Sequence, residues 1–321
     1  MYIFLVYNTT RTLKIETLKP KDMVYMVTDC ITNKIHWKEI ELSDRELFET
    51  TGDNREGIAM FSFASLFFWK EYYKTAYAVI NGNIVCRGLS DKRNCVVYFP
   101  RGLNGNIKET IEIIASSCDG KLRFLPLTQT TAEKISSFFP NSKTDLLDGK
   151  CEYVYDQKDL AELAGKKYHA KRNHIAKFDK NYPYEYVEIT TDNIQILADC
   201  AEHLYNIIEN SPKDEYCAIK CAIKHFTQLN LRAAVIKADG KYAAYSIGSE
   251  INENTADIHF EKADRNFEGS YAKINNCFAK FGWGDMDFLN REEDLGIEGL
   301  RKAKLSYYPC RLNQMYSVEI F

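Results

Sequence analysis

The hydrophobic and polar positions in the second half of the chain predict three antiparallel strands followed by alternating helices and strands. The stretch 233–238 is apolar, Asp239-Gly240 is a strong hairpin-turn pair, and the residues after it again favour a strand. Apolar residues then recur at helical spacing. In chain order the predicted elements are strands 233–238, 241–249 and 256–263, helix 269–281, strand 286–289, helix 297–307 and strand 315–321.

The first half of the chain repeats this order. Asn81-Gly82 takes the place of the hairpin turn, and corresponding elements keep a nearly constant spacing, as with Cys151 and Met315. The predicted elements are strands 75–80, 84–88 and 95–99, helix 107–117, strand 121–125, helix 130–139 and strand 151–155, and an apolar-rich helix precedes each half over 61–73 and 216–227. The pattern therefore predicts two copies of one fold; the alternative is a single large α/β domain.

A three-stranded meander followed by helix, strand, helix and strand is the element order of GNAT-type N-acyltransferases. We therefore predict an α/β (α+β) protein with two tandem GNAT-like acyltransferase domains, each a mixed sheet flanked by helices. The expected divisions are a leader or first strand over 1–38, an N-terminal domain over 39–155, a connecting basic helix over 156–186 and a C-terminal domain over 187–321.

The composition is that of a packed protein with room for two domains in its 321 residues. Hydrophobic residues make up 45% and charged residues 27%, which is too apolar for a disordered chain. The formal net charge of −3 argues against a protein that coats DNA or membrane through its overall charge. We expect no DNA partner, although a local basic patch is compatible with these totals.

The N-terminus and the cysteines indicate a cytoplasmic protein. The apolar run from Met1 to Tyr7 is short for a signal peptide, and no segment reaches the roughly 20 apolar residues of a membrane span. The ten cysteines include no CxxC pair, so we expect reduced thiols. Cys217, Cys221 and His225 share a helix face, but a fourth ligand is not evident and no metal is expected.

Three segments carry candidate chemistry. The first is a basic helix, which between Gly165 and Lys180 has six Lys or Arg residues against one Asp. The second runs from His259 to Asp264 and ends the third strand of the second half. The third runs over 290–309 and contains the pattern Gly-Leu-Arg-x-x-Lys-x-x-Tyr-x-Pro, which begins at Gly299.

Together these segments resemble the family related to the C-terminal domain of phosphatidylglycerol lysyltransferase, over roughly residues 39–321. The resemblance implies tandem GNAT-like domains similar to the Fem aminoacyltransferases, and transfer of an amino acid from aminoacyl-tRNA without acetyl-CoA. It makes charged tRNA and a phosphate-bearing acceptor the expected partners, with no cofactor. The lysyltransferases also carry an upstream membrane-embedded domain that this sequence lacks, so we expect no integral membrane association.

The third segment offers candidate substrate-binding residues. Arg301 and Lys304 are three apart on one helix face, where they form either an anion site for phosphate or a solvated face near a helix C-terminus. Tyr307 belongs to the family pattern and joins them as a candidate. Arg291 is a further candidate, although it serves equally well in a loop salt bridge.

The basic helix offers Lys171, Arg172 and Asn173, which we expect to bind an anionic substrate in the crevice between the domains. The alternative is a connecting helix whose cations face solvent and whose apolar residues face inward. The sequence leaves the two interpretations equal.

The third strand of the second half places Asp257, His259 and Glu261 on one face by its period of two. That face is either the solvent side of a half-exposed sheet or the lining of a cleft, where a carboxylate or imidazole can act as base for an attacking amine. Glu261 and His259 are therefore the candidate catalytic residues.

Arg265 and Gly269 mark a turn before a helix, where backbone N–H groups can bind a phosphate. The acetyl-CoA motif of GNAT enzymes has its glycine one residue earlier and a small residue two places later, where this chain has Tyr271. Acetyl-CoA is therefore a less favoured donor than aminoacyl-tRNA or another acyl donor. Taken together, the sequence predicts an aminoacyl- or acyltransferase acting on an amine or hydroxyl, with a CoA-dependent N-acetyltransferase and a non-catalytic binding protein as alternatives.

Overall fold

The computed structural model describes residues 35–50, 57–90, 92, 94–117, 121–209 and 211–320. The predicted leader lies outside the described residues up to position 34. The helices are α1 (Arg45–Thr50), α2 (Phe63–Tyr73), α3 (Ile107–Ala115), α4 (Gln129–Phe138), α5 (Gln157–Glu162), α6 (His169–Asn181), α7 (Ile194–Ile207), α8 (Lys213–Lys224), α9 (Ser270–Cys277) and α10 (Glu298–Leu305). The strands are β1 (Lys38–Glu39), β2 (Ala76–Ile80), β3 (Asn83–Leu89), β4 (Cys95–Tyr98), β5 (Leu122–Thr128), β6 (Lys143–Leu146), β7 (Glu152–Asp156), β8 (Tyr184–Glu188), β9 (Arg232–Ala238), β10 (Lys241–Asn252), β11 (Thr255–Ala263), β12 (Phe288–Asn290), β13 (Arg311–Asn313) and β14 (Met315–Ile320).

The strands form two seven-stranded mixed sheets. The first sheet has the order β1-β2-β3-β4-β5-β14-β6, and the second has the order β13-β7-β12-β11-β10-β9-β8. In each sheet an antiparallel meander leads into a parallel pair, which is β4 with β5 in the first and β11 with β12 in the second. The predicted fold class, two tandem GNAT-like units with mixed sheets flanked by helices, is confirmed.

The strands that end the two repeats are exchanged between the sheets. β7 lies between β12 and β13 of the second sheet, where Tyr155 pairs with Leu289, and β14 lies between β5 and β6 of the first. The prediction that strand 151–155 closes the first sheet and strand 315–321 the second is therefore wrong. Local periodicity specifies that a strand forms, whereas its neighbours are set by hydrogen bonds between distant segments. As a result, neither interval 39–155 nor interval 187–321 contains a complete sheet.

The connecting segment forms two helices rather than the single basic helix predicted over 156–186. α5 is followed by Leu163 in the left-handed conformation (φ 49°), and Gly165 has φ 82° before α6 begins. Arg172 of α6 donates to the carbonyl oxygens of Leu163 and Gly165, at 2.5 and 2.7 Å. Its guanidinium thereby satisfies carbonyl groups that the end of α5 leaves open.

Three hydrophobic cores lie between the layers in the described part of the chain. One packs the first sheet against α3 and α4, and another packs the second sheet against α5, α6 and α9. The third lies between the two sheets, where α2, α7 and α8 pack with residues of both halves. None of the helices in the described part of the chain is long and apolar enough to span a bilayer.

Candidate active site

The second sheet splits where β11 and β12 stop pairing. The two parallel strands are hydrogen-bonded from Thr255 and Phe288 as far as Asp257 and Asn290. β12 then ends, while β11 continues to Ala263. We call the space beyond the last pair the strand cleft. Side chains from the free end of β11 and from the loop after β12 face each other across it.

Three polar side chains form the Glu261 cluster in this cleft. Arg291 Nη2 lies 2.7 Å from one carboxylate oxygen of Glu261, and Asn275 Nδ2 of α9 donates to the other at 3.2 Å. Arg291 Nη1 and Asn275 Oδ1 are both buried without a hydrogen-bond partner. An unpaired buried donor and acceptor are costly, so their presence on either side of one carboxylate indicates a place for a polar ligand.

Lys171 of α6 borders the same cluster. Its ammonium lies 3.7 Å from the ring centroid of Tyr307, and the guanidinium of Arg291 lies 4.9 Å from the same ring. Burial, with Arg291 as a second cause, lowers the pKa of Lys171 to about 8. The structure thus brings together four of the residues selected from the sequence: Glu261, Arg291, Lys171 and Tyr307.

A second group, the His259 cluster, lies on the other side of β11. His259 Nδ1 is 2.9 Å from Asp257 Oδ2 and 3.7 Å from Glu292 Oε1, and the imidazole ring packs edge-on against Phe68 of α2. The prediction that Asp257, His259 and Glu261 share one face is wrong. A register shift against β10 between Ile258 and Phe260 inserts His259 as an extra residue, so Glu261 turns instead toward α9.

Charge and burial act together on the His259 cluster. Burial lowers the pKa of His259, but Asp257 and Glu292 outweigh it and raise the pKa to about 9. Burial, followed by the charge of Asp257, raises the pKa of Glu292 to about 8. Neutral pH therefore favours a protonated imidazole, which is not the form that accepts a proton from an acceptor.

Arg301 is held within the protein. Its guanidinium lies 2.6 and 3.1 Å from the two carboxylate oxygens of Asp294, which is fully buried, and 2.7 Å from Asp148. Tyr153 donates to the same Asp294 at 2.6 Å. The hydrogen bonds from Arg301 lower the pKa of Asp294 to about 2, although burial opposes them.

Lys304 is also turned inward. It is buried, and its ammonium donates to the backbone carbonyls of Arg291 and Glu292. Both cations therefore bind the loop that follows β12, and the free anion-binding face predicted on α10 is not formed by Arg301 and Lys304. A helical spacing of three places two residues on one face but does not say what that face contacts.

The remaining candidates lie apart from the Glu261 cluster. Arg172 is bound to the carbonyls at the end of α5, and Asn173 is exposed and contacts His169 at 3.3 Å. Arg265 is exposed on the turn before α9. Asn275, which the sequence analysis missed, has no distinguishing signal because an asparagine within a helix is common.

The last residue of the turn before α9, Gly269, packs closely against another helix. Gly269 has φ 93°, and a β-carbon there would lie 2.3 Å from the carbonyl oxygen of His174 in α6. Because Gly269 has no side chain, α6 can pack closely against it; the β-carbon of any other residue would collide with the α6 backbone. Tyr271, which stands where the acetyl-CoA motif has a small residue, is exposed.

Comparison with known proteins places the chain in a family. The family model described as phosphatidylglycerol lysyltransferase, C-terminal, matches residues 55–319. This chain belongs to that family. The strand cleft and the pattern from Gly299 to Pro309 both lie within the region that matches the lysyltransferase C-terminal family.

Solved structures extend this result. A conserved protein of unknown function from Bacteroides thetaiotaomicron is 33% identical, with 89% of this chain and 100% of that one covered and a TM-score of 0.82. L-PGS from Bacillus licheniformis (14% identity, 88% and 93% covered, TM-score 0.57) and FemX (8%, 89% and 97%, TM-score 0.53) share the fold. Family and fold together support the coarse class of acyl- or aminoacyltransferase that the sequence predicted.

A curated relative of this lysyltransferase C-terminal family member is an uncharacterized protein of Mycoplasmoides gallisepticum. It is 24% identical over 179 residues, which is 54% of this chain. The matched part spans 57% of that relative's own length.

Proposed function

We propose that this protein transfers an aminoacyl group from an activated donor to an amine or hydroxyl acceptor in the strand cleft. The observation that carries the proposal is the Glu261 cluster, in which Arg291 and Asn275 each leave one buried polar atom unpaired. The family match and the shared fold agree with this class of reaction.

The two unpaired atoms fit an aminoacyl group better than a plain acyl group. Arg291 Nη1 is a donor and suits the carbonyl oxygen of an ester, while Asn275 Oδ1 is an acceptor and suits an α-ammonium group. A plain acyl group has a carbonyl oxygen but no ammonium. It would leave the amide oxygen of Asn275 buried and unsatisfied, at a cost of about 1–3 kcal/mol.

The chemistry requires positioning and charge stabilisation. The acceptor nitrogen or oxygen forms a bond with the donor carbonyl carbon, the ester bond to the donor's leaving oxygen breaks, and the acceptor's proton passes to that oxygen. Negative charge develops on the carbonyl oxygen, where Arg291 Nη1 and the ammonium of Lys171 stabilise it.

Glu261 then acts as a positioning residue. Arg291 and Asn275 occupy its two carboxylate oxygens, so it fixes both groups that contact the substrate. This differs from the role of general base expected from the sequence. His259 contacts α2 on the other side of β11 and has no place in the proposed transfer step.

We propose charged tRNA as the donor. The helix that carries Lys171 also exposes Lys180 and His174, and Lys166 is exposed on the turn before it, which gives a basic surface suited to phosphates. The close packing of α6 on Gly269 supports a donor other than acetyl-CoA, because GNAT enzymes bind the pyrophosphate at this turn. The acceptor is either a phosphate-bearing lipid headgroup or a peptide amine.

The test is a transfer assay with the purified chain. tRNA charged with one labelled amino acid at a time is incubated with phosphatidylglycerol vesicles or with an amine-bearing peptide, and label in each acceptor is counted. We expect transfer to one acceptor. Asn275→Leu and Arg291→Lys should each lower kcat/KM by about 100-fold, because each removes one contact to the reacting group.

Lys302→Ala is the matched control, since Lys302 is an exposed cation on α10 that pairs only with Glu298 in the contacts described. It should leave kcat/KM unchanged. Turnover of acetyl-CoA with no transfer from any charged tRNA would reject the aminoacyl proposal, and tight binding of charged tRNA without transfer to either acceptor would indicate a binding protein.

A further inference from the structure

The His259 cluster places the carboxylates of Asp257 and Glu292 beside one imidazole. Asp257 is fully buried; His259 Nδ1 lies 2.9 Å from its Oδ2, while its Oδ1 accepts no hydrogen bond. Glu292 adds a second carboxylate, and Glu152, also fully buried, lies near enough to interact electrostatically with Asp257. Lys304 is the nearby cation, but its ammonium is bound to two backbone carbonyls. Carboxylates gathered in the interior are costly unless cations neutralise them, and a metal ion can replace the proton of His259 in that role.

We propose that Asp257, His259 and Glu292 bind one divalent metal ion. The three side chains each offer one ligand atom, and these atoms lie within 4.8 Å of one another. In a tetrahedral site with bonds of about 2.1 Å, ligand atoms are about 3.4 Å apart. The observed separations of 2.9 Å (His259 to Asp257) and 3.7 Å (His259 to Glu292) bracket that value.

The second nitrogen of the imidazole supports the assignment. His259 Nε2 lies 2.8 Å from Ser249 Oγ. When Nε2 donates to this hydroxyl, the lone pair of Nδ1 points toward the carboxylates, which is the tautomer that a metal requires. Ser65 Oγ lies 3.3 Å from Nδ1 and can donate to it when no ion is bound.

The ligand set selects a class of metal. One imidazole and two carboxylates suit zinc, manganese or iron(II), and three protein ligands leave coordination positions for water. The site lies on the opposite side of β11 from the Glu261 cluster, so its function is separate from the transfer step. The ion would fasten β11 to the loop that carries Arg291, and so stiffen one wall of the strand cleft.

The experiment uses the full chain, freed of metal with a chelator and titrated with ZnCl₂ and MnCl₂ by calorimetry, with metal content measured after dialysis. We expect one ion per chain. Asp257→Asn keeps the side-chain shape but removes a charged ligand, and we expect it to weaken metal binding at least 100-fold. Loss of a residue that only hydrogen-bonds to a metal ligand already lowers metal affinity by about 10- to 100-fold.

Two controls separate this site from others. Cys217→Ser removes a thiol that shares a helix with Cys221 and can bind zinc adventitiously, and it should leave the affinity unchanged. Glu293→Gln changes a neighbouring acid that pairs with Lys150 and should also leave it unchanged. Loss of binding in Cys217→Ser would overturn the proposal.

A measurement on the unaltered chain covers the case in which Asp257→Asn does not fold. Co²⁺ bound to nitrogen and oxygen ligands lacks the intense near-ultraviolet charge-transfer absorption of a cobalt thiolate. A weak visible spectrum with one Co²⁺ per chain would support the site. No binding, or a thiolate spectrum, would overturn it.

Discussion

Arg301, a residue of the family pattern, is a candidate anion ligand in the sequence but a partner of the buried Asp294 in the structure, and one substitution distinguishes the two roles. The change is Arg301→Ala. In the folded protein Asp294 is fully buried and keeps its hydrogen bonds from Tyr153 and the Gly296 N–H after the change, but it loses the guanidinium. Removing one member of a fully buried pair costs about 3–5 kcal/mol, and an exposed pair is worth about 0–1 kcal/mol.

The expected loss lies between these limits. Arg301 keeps 34% of its side chain exposed while its partner has none, so water screens one end of the pair only. We expect the free energy of unfolding to fall by about 2–3 kcal/mol. Urea denaturation of the wild type and the variant, followed by circular dichroism, measures this difference.

Two further variants sharpen the test. Lys302→Ala removes an exposed cation from the same helix and should change stability by less than about 0.5 kcal/mol. A double-mutant cycle with Asp294→Asn should show a coupling of about 1–3 kcal/mol between the two side chains. If Arg301→Ala kept its stability and lost binding of charged tRNA, Arg301 would be a ligand contact and the structural role assigned to it would be refuted.

Three other outcomes are expected. Burial lowers the pKa of Lys171 to about 8, so its ammonium loses its charge above that pH. We therefore expect kcat/KM for aminoacyl transfer by the wild type, divided by that of Lys171→Arg, to fall roughly tenfold per pH unit above 8. A ratio that stays constant with pH would contradict a cationic role for Lys171. Gly269→Ala should lower the free energy of unfolding by about 2 kcal/mol or more, because Gly269 has a positive φ and its added β-carbon would collide with α6. The matched control is Gly299→Ala, whose β-carbon would meet no atom within 4 Å and which should not destabilise the protein. Urea denaturation measures both. Burial raises the pKa of Glu152 to about 7, so between pH 4.5 and 7 the folded protein holds a proton that the unfolded chain has released. The free energy of unfolding should therefore fall as pH rises through this range. Denaturation of Glu152→Gln over the same range should show no such slope.

Local pattern predicted the elements common to the two repeats, but it missed strands β6, β8 and β13 and helix α7. The hairpin pairs Asn81-Gly82 and Asp239-Gly240 both lie at the turns predicted for them, because a glycine with positive φ is what a tight hairpin turn needs. The break near Gly165 was within reach of the same reasoning, since glycine is common just past a helix end, yet one helix was predicted across it.

The candidate site depended on contacts that no local pattern contains. Glu261 was selected from the sequence, but its partners Arg291 and Asn275 come from different elements and meet it only in the strand cleft. The bulge at His259 reversed the face expected for its neighbours, because one inserted residue shifts a strand's alternation and depends on pairing with β10.

The sequence by itself determined that the chain forms two similar α/β units, because hydrophobic periodicity and turn residues act over a few positions and the same signals occur twice. Tertiary structure alone decided that β7 and β14 cross between the sheets, and that Arg301 and Lys304 face the protein rather than a ligand. Both results depend on hydrogen bonds and charges from residues far apart in the chain, whose partners become defined only when the sheets and helices pack together.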